Sequence, residues 1–355
     1  MTAAASRGEL TVAEIAATAG WIASVQLPDG LIPWYPGGHA DPWNHVEAAM
    51  ALLVAGLREQ AEAALRWSAR HQLADGSWCS YYLADGVEDP RRDPNICAYL
   101  ATGVWFHHLV TGDDALLEEL WPAVDAAVGF VLGLQRPGGE VLWSRDADGT
   151  PGSFALLTGS SSILHSLRCA LALGAHLGDE RPDWELAAGR LAHAVAFRRD
   201  RFERKDRWAM DWYYPVLCGA LDADAARARL DAGWGGFVEV GLGVRCVSDN
   251  LWVTAAETAE CALALHALGR VHAAAVLLRW TRHLREPDGS YATGCVHPQC
   301  VRFPVGERST YSAAAVLLAA NALREGPGAG LFRGDDLPVV APIAEIAAER
   351  TPGSR

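Results

Sequence analysis

The sequence predicts an all-α fold, an (α/α)6 toroid in which six helical hairpins close into a ring. Two observations carry this prediction. Apolar residues recur with the 3.6-residue period of amphipathic helices, and a motif of aromatic, Gln and Gly residues recurs on every second predicted helix. Strand-like runs are few and short, such as residues 237–240. The twelve predicted helices are residues 11–26, 41–56, 58–72, 93–110, 114–135, 156–177, 183–200, 209–221, 223–234, 250–268, 270–285 and 309–324.

The three full copies of the motif have an aromatic residue, a Gln five positions later, a Gly-containing turn and a second aromatic residue. In one copy Trp67 is followed by Gln72, by Asp75-Gly76 and by Trp78. The glycine supplies the positive φ that a tight turn needs after a helix. The Gln side chain can bond the free carbonyl groups of the helix end or of the next turn. Other copies, some of them degenerate, start at Trp21, Phe130, Phe197 and Trp280.

The repeat also bears on domain organisation. A chain of 355 residues has a soft prior of about two domains. A closed ring, however, lets one core extend over all the hairpins and needs no end caps. We therefore predict a single barrel domain over residues 1–324 and a loosely packed, Gly/Pro-rich C-terminal tail over residues 325–355, with one short helix near 343–349.

Composition excludes several classes of partner. Lys and Arg number 30 against 43 Asp and Glu, a net charge of −13, so nucleic acid and anionic lipid surfaces are poor partners. The N-terminus lacks a signal-peptide core, and no run approaches the roughly 20 apolar residues of a membrane span. The eight Cys are mostly isolated, which is typical of a reduced protein. We expect a cytoplasmic protein without an integral membrane segment, whose oligomeric state stays open.

The aromatic-x4-Gln-x2-Asp-Gly-x-Trp unit resembles the QW repeat of squalene and hopene cyclases. Similar units occur in six-hairpin glycosidases, which have the same (α/α)6 layout. The chain to about residue 324 also resembles bacterial proteins labelled prenyltransferase-like or squalene-cyclase-like. The resemblance implies the toroid fold and an isoprenoid substrate, although a fold-level label transfers no chemistry by itself. It is carried by residues 41–47, 93–95, 158–162, 210–214 and 252–254.

The acidic motifs of terpenoid enzymes are missing from this chain. A cyclase that starts by protonation needs Asp-x-Asp-Asp, and the nearest matches, residues 146–149 and 222–225, lack the final Asp. An ionisation-initiated enzyme needs an Asp-Asp-x-x-Asp motif for magnesium, which residues 113–118 do not supply. The terpenoid resemblance therefore covers the scaffold without its usual catalytic residues.

In toroids of either kind the inner helices begin around one opening, where helix N-termini favour carboxylates and polar ligands. Asp41 and Asp93, each followed by Pro, also fit helix N-caps. We expect the catalytic carboxyl groups to be among Asp211, Glu257, Asp93 and Glu47. We expect the substrate contacts to be among Trp43, Asn44, Asn95, Trp212, Tyr213, Asn250, Trp252 and Glu307.

A ring of carboxyl groups suits general acid/base chemistry. Glycoside cleavage needs one protonated and one ionised carboxyl group, and crowding in a partly dry pocket separates their pKa values. Aromatic faces would stack on the sugar rings. The first hypothesis is thus an enzyme that cleaves a glycan or glycoside. The alternatives are a terpenoid cyclase or prenyltransferase acting on an isoprenoid, and a non-catalytic binding toroid; which carboxyl groups form the pair stays open.

One further cluster, Cys295, His297 and Cys300, contains residue types that bind zinc. Its spacing differs from common zinc motifs, and no fourth ligand is evident. The pattern favours two ordinary loop thiols and a surface histidine. We therefore expect neither a metal nor another cofactor.

Overall fold

The computed structural model describes residues 10–344 of the chain, and this part contains twelve α-helices. Each one falls on a predicted segment. The helices are α1 (Val12–Val25), α2 (Pro42–Val54), α3 (Arg58–Arg70), α4 (Pro94–Thr111), α5 (Asp114–Leu132), α6 (Leu157–Leu177), α7 (Pro182–Phe197), α8 (Ala209–Leu217), α9 (Ala223–Phe237), α10 (Ala255–Ala267), α11 (Val271–Trp280) and α12 (Thr310–Leu323).

The even-numbered helices form an inner ring in which each packs against the two even-numbered neighbours, and α12 packs against α2 to close it. The odd-numbered helices pack around the outside. Inner helices such as α12 are buried along almost their whole length, whereas outer helices such as α9 bury only one face. This arrangement confirms the predicted (α/α)6 toroid.

The repeated Gln ties three of the outer helices to the next outer helix. Gln72 Nε2 donates to Gly76 O in its own turn (2.9 Å) and to Ala123 O on α5 (2.8 Å). Gln26 and Gln135 make the same pair of bonds, to their own turn and to the following outer helix. These three copies of the motif therefore each fasten one hairpin to its successor.

The glycine of each turn allows close contact with the next outer helix. Gly76 has a φ of +85°, and a Cβ there would lie 2.1 Å from Ala126 O. Gly289, in the last copy, is pressed in the same way against Ala17 of α1. Its carbonyl accepts a hydrogen bond from Thr18 Oγ1 (2.8 Å). The last repeat thus seals the outer ring against the first helix.

Short strands surround the helix starts. A hairpin joins β1 (Tyr81–Leu83) to β2 (Gly86–Asp89). An antiparallel sheet contains, in spatial order, β3 (Val238–Glu239), β4 (Gly243–Arg245), β5 (Trp252–Thr254), β6 (Gly294–Val296) and β7 (Val301–Arg302).

The predicted helix over 250–268 was wrong at its start, because residues 252–254 form β5 and α10 begins only at Ala255. One of the two partner strands is remote: Val253 pairs with the nearby Arg245 on one side and with the distant Cys295 on the other. Local periodicity carries no information about such pairing. The strand-like run at 237–240, in contrast, does contain β3.

The tail packs into the barrel from the end opposite the helix starts. Leu331 and Leu337 are buried in the core, and the Phe332 ring stacks on His165 with centroids 5.3 Å apart. His165 Nε2 also lies 3.3 Å from Leu331 O. Loose packing is therefore not observed over 329–337, because these apolar side chains fill the middle of the ring. Most of the predicted helix near 343–349 lies outside the described residues, and the division of the chain at residue 324 stays a prediction.

Two further expectations concern membrane-spanning helices and the state of the cysteines. Among the described helices, none is both long and apolar enough to cross a membrane. All eight cysteines are free, and only Cys300 is not buried.

Candidate active site

The first turns of the six inner helices surround one opening, here called the mouth. The predicted caps hold the chain there: Asp41 Oδ1 accepts from the Asn44 backbone N–H (2.9 Å) and Asp93 Oδ1 from that of Asn95 (2.8 Å). The name upper layer is used here for six residues in the first turns of the inner helices: Asn44, Asn95, Thr158, Asp211, Glu257 and Tyr311. One helical turn deeper, the lower layer consists of Glu47, Tyr99, Ser162, Tyr214 and Glu260.

Two buried carboxyl groups lie in the lower layer. Glu260 accepts hydrogen bonds from the hydroxyls of Tyr213 and Tyr214. Burial raises the pKa of Glu260 to about 8, although the two hydroxyls favour its ionised form. Burial, and then the charge of Glu260, holds the pKa of Glu47 well above its usual range. At neutral pH Glu260 therefore retains a proton that an exposed carboxyl group has lost.

Trp43 separates the mouth from a small cavity in the middle of the ring. Its indole stacks on Tyr99 with ring centroids 4.3 Å apart, and Nε1 donates to Ser162 Oγ (3.3 Å). The cavity beneath contains Glu47 and Glu260 and is bounded by Phe332 of the tail. An isoprenoid site calls for apolar walls, whereas this cavity has two buried carboxyl groups.

Asp41 and Asp93 lie beside each other at the starts of α2 and α4. Asp41 Oδ2 accepts from Trp34 Nε1 and from Asn44 Nδ2, both at 2.5 Å, and these donors oppose the rise in the Asp41 pKa that burial causes. Burial raises the pKa of Asp93 to about 7, backbone N–H groups oppose the shift, and the Asp41 charge adds to it. Asp93 is partly exposed, and at this pKa it exchanges its proton near neutral pH.

An aromatic wall connects these aspartates to Glu257. Trp34 makes edge-to-face contacts with Tyr81 and with Tyr311, at centroid distances of 5.9 and 5.1 Å. Burial raises the pKa of Tyr311, and the nearby charge of Glu257 raises it further. Glu257 is partly exposed and accepts a hydrogen bond from Thr254 Oγ1. In ring order α10, which carries Glu257, stands opposite α4, which begins after Asp93.

Asp211 is held in an ion pair at the start of α8. It is only 3% exposed, and its carboxylate accepts from Thr158 Oγ1 (2.7 Å) and pairs with Arg199 Nη2 (3.0 Å). This residue also borders an open cleft at the mouth, whose lining contains one aromatic residue, Trp208, 43% exposed. The cleft is lined by Leu156, Thr158, Lys205, Trp208, Met210 and Asp211.

Two predicted contact residues of α8 point away from the mouth. Trp212 stacks on Phe237 (centroids 5.1 Å apart), and its Nε1 donates to Arg229 O (2.9 Å), so it fills the interface between α8 and α9. Tyr213 is fully buried and holds Glu260. The sequence showed an aromatic run at a helix start, but not which face of the helix each ring occupies.

The predicted residues before α10 are also placed differently. Asn250 is an exposed turn residue, and Trp252 Nε1 donates to Phe303 O (3.0 Å). Neither shares a helical face with Glu257, because β5 intervenes. Glu307 accepts from Thr293 Oγ1 (2.7 Å) at the rim.

The Cys295, His297 and Cys300 set does not converge as a metal site in the described structure. Cys295 is buried with its thiol against that of Cys300. His297 lies 3.3 Å from Glu239 Oε2, and it is buried rather than at the surface as expected.

Sequence reasoning missed Glu260 and Trp208 as site residues. Glu260 follows the candidate Glu257 by three positions, so a helical wheel through α10 places both on one face. Trp208 directly precedes α8, and the sequence showed it only as the end of a degenerate repeat.

The chain is 52% identical over 332 residues to an MMP endo-(1,4)-3-O-methyl-α-D-mannosidase from Mycolicibacterium hassiacum, an alignment that covers 93% of this chain and 92% of that protein. The chain belongs to this mannosidase family. No protein-family model matches it. Membership of the family makes the chain an enzyme of glycoside-hydrolase type, and it supports the predicted glycan substrate over an isoprenoid.

Solved structures support the fold of this mannosidase family member. A glycosidase in complex with glucose aligns with a TM-score of 0.71 and 17% identity, over 89% of this chain and 98% of that one. GH63 mannosylglycerate hydrolase from Thermus thermophilus, in complex with Tris and D-glycerate, aligns at 0.69 and 12%, over 85% and 99%. A D-mannose isomerase aligns at 0.69 and 11%, over 90% and 99%. The chain therefore shares the helical toroid fold of these proteins, and the resemblance to prenyltransferases and squalene cyclases is not supported.

Proposed function

We propose that this enzyme cleaves (1,4) bonds within chains of 3-O-methyl-α-D-mannose. The observation that carries the proposal is the 52% identity to a relative of that activity, extending over 93% of this chain. The mouth supplies what such a reaction needs: partly exposed carboxyl groups, an aromatic wall and an open cleft.

We assign general acid to Asp93 and general base to Glu257. Neighbouring packed helices lie about 8–10 Å apart, so opposite helices of a six-membered ring are roughly 16–20 Å apart. That spacing leaves room between the two helices for the carboxyl separation of about 6.5–9.5 Å that inverting glycosidases use. Asp93 would protonate the departing glycosidic oxygen. Glu257 would take a proton from the water that attacks the anomeric carbon from the opposite face, with inversion.

The neighbouring residues support these roles. The charge of Asp41 helps to keep the proton on Asp93 near neutral pH, where a general acid must hold it. Thr254 donates to Glu257 and orients its carboxylate. Asp211 already pairs with Arg199 and accepts a hydrogen bond from Thr158. We therefore assign it a role in binding a sugar hydroxyl rather than in proton transfer.

The open cleft suits a methylated sugar chain. Leu156, Trp208 and Met210 present apolar surface, while Lys205, Thr158 and Asp211 offer polar groups beside it. A 3-O-methyl group is apolar and cannot donate a hydrogen bond, so it gains from burial against such a surface. A cleft at the rim of the mouth also lets a chain continue beyond the cleaved bond, as internal cleavage requires.

The test compares two α-(1,4)-mannose oligosaccharides of equal length, with and without 3-O-methyl groups. Mass spectrometry of early products should show shortened methylated oligosaccharides, not released monosaccharide, and NMR of the new reducing end should show inversion. A kcat/KM that is equal for both substrates, or release of monosaccharides from the chain end alone, would contradict the proposed specificity.

A further inference from the structure

Two histidines and an aspartate converge on the face of the toroid opposite the mouth. His108 lies in the last turn of α4, His176 in the last turn of α6, and Asp114 is the first residue of α5. His108 Nδ1 lies 3.0 Å and His176 Nε2 2.9 Å from the same oxygen, Asp114 Oδ1. The three ligand atoms all lie within 4.8 Å of one another.

We propose that His108, Asp114 and His176 bind a late first-row divalent cation, of which Zn²⁺ is the best match. Zinc takes imidazole nitrogen at about 2.0–2.1 Å and carboxylate oxygen at about 2.0–2.2 Å, in tetrahedral geometry. Tetrahedral ligand atoms at such distances lie about 3.3 Å apart. The observed separations of 2.9 and 3.0 Å between nitrogen and oxygen thus need only small side-chain shifts.

The surroundings of the cluster favour a cation. His108 Nδ1 is enclosed by protein, and its 3.0 Å contact with Asp114 Oδ1 lacks the geometry of a hydrogen bond, whereas a metal ion between the two atoms would satisfy both. His108 and His176 occupy the C-terminal turns of two inner helices, where the helix dipoles carry partial negative charge. Trp105 stacks on the His108 ring (centroids 5.1 Å apart, planes at 21°) and restrains its orientation. Asp114 and His176 are exposed, which leaves the fourth position to water.

The role that follows is structural, because the site joins α4, α5 and α6 at the far end of the barrel from the mouth. The ion would clamp the second hairpin to the third. Bound metal stabilises the folded state through its affinity for that state, so it raises Tm without taking part in the reaction.

The experiment uses full-length protein carrying no polyhistidine tag and stripped with EDTA. Calorimetric titration with ZnCl2 should show one Zn²⁺ per chain, and Co²⁺ should give the visible d–d absorption of a tetrahedral site. His108→Gln and His176→Gln should each weaken binding at least about 100-fold, since loss of an outer-shell partner alone costs about 10- to 100-fold. His272→Gln, an exposed histidine on α11, is the matched control and should bind as wild type.

Thermal unfolding gives a second readout. Zn²⁺ should raise the Tm of wild type and of His272→Gln but not of His176→Gln, whose metal-free Tm and circular dichroism should equal those of wild type. Absence of saturable Zn²⁺ binding would overturn the proposal. Binding that survives in both cluster variants but disappears in Cys300→Ser would also overturn it, since the metal would then lie at the thiols.

Discussion

The hydroxyl of Tyr214 donates a hydrogen bond to Glu260 Oε1 at 2.9 Å, joining two neighbouring inner helices one turn below the mouth. Glu260 is only 3% exposed, and the hydroxyl of Tyr213 donates to its other oxygen. Both donors come from α8, so a single carboxyl group fastens α10 to α8. Because the group is buried, its protonation is linked to the stability of the barrel.

Replacing Glu260 with Gln should make stability less dependent on pH. The pKa of Glu260 is raised from 4.5 when exposed to about 8 in the folded protein. The stability that its bound proton contributes is therefore fully present below about pH 4.5 and is lost as pH rises toward about 8. Between about pH 5 and about pH 9, wild type should lose more free energy of unfolding in urea than Glu260→Gln. Glu185→Gln, on the exposed face of α7, should follow wild type, and identical slopes for all three proteins would contradict the linkage.

Removing the proposed acid and base should reduce kcat with little change in KM. We expect Asp93→Asn and Glu257→Gln each to lower kcat by about 10²- to 10⁴-fold, the usual contribution of general acid or base catalysis. Since the pKa of Asp93 is about 7, wild-type kcat should fall as pH rises through that value, and Asp93→Asn should lack this fall.

The controls separate the two neighbouring aspartates. Asp224→Asn, on the exposed start of α9, should keep wild-type kcat. If Asp41→Asn removes the alkaline fall in rate and Asp93→Asn retains it, the acid is Asp41 and our assignment is wrong.

Trp208 should act on substrate affinity rather than on the chemical step. It is 43% exposed at the open cleft, so part of its aromatic surface is accessible to a sugar ring, and the Arg207 guanidinium lies 5.7 Å from the ring centroid. Trp208→Ala should raise KM about tenfold, equivalent to roughly 1.4 kcal/mol, with kcat within about twofold. Trp208→Phe should recover most of the affinity. An unchanged KM for the methylated oligosaccharide in Trp208→Ala would remove this residue from the site.

The turn glycines provide a test of how the repeat closes the ring. Gly56 and Gly76 both have positive φ, +78° and +85°, so alanine at either position costs about 1–2 kcal/mol of backbone strain. A Cβ at Gly76 would also meet Ala126 O at 2.1 Å, whereas at Gly56 it would meet nothing within 4 Å. Gly76→Ala should therefore lower the free energy of unfolding by at least about 2 kcal/mol more than Gly56→Ala. Equal losses of the free energy of unfolding in the two variants would show that the close contact with α5 has no effect on stability.

Much of the helical fold was predictable because it is encoded locally. The apolar period located all twelve helices of the described residues. The Gln-Gly repeat also indicated a closed ring, although only the tertiary structure shows that the Gln side chain bonds the next outer helix. The sheet was not predictable. Val253 pairs with strands on both sides, and one of its partners, Cys295, is more than 40 residues away in sequence. The same limit explains why Asn250 and Trp252 were placed on the wrong kind of element.

The residues of the candidate site likewise differ in whether local sequence patterns reveal them. Asp93, Glu257 and Glu47 could be named because helix starts in a toroid gather at one opening, and the caps that mark them are local patterns. Glu260, Trp208 and the far-face histidines His108 and His176 were not recognised, since their importance depends on neighbours from other hairpins.

The amino-acid order alone determined the helices and their turns, because each depends on groups a few positions apart, and the composition alone set the net charge. Only the tertiary structure decided which of the many carboxyl groups are buried, paired or open to solvent. Burial and distance set the pKa of a carboxyl group and the direction in which it points, and both are properties of packed helices rather than of the segments that form them.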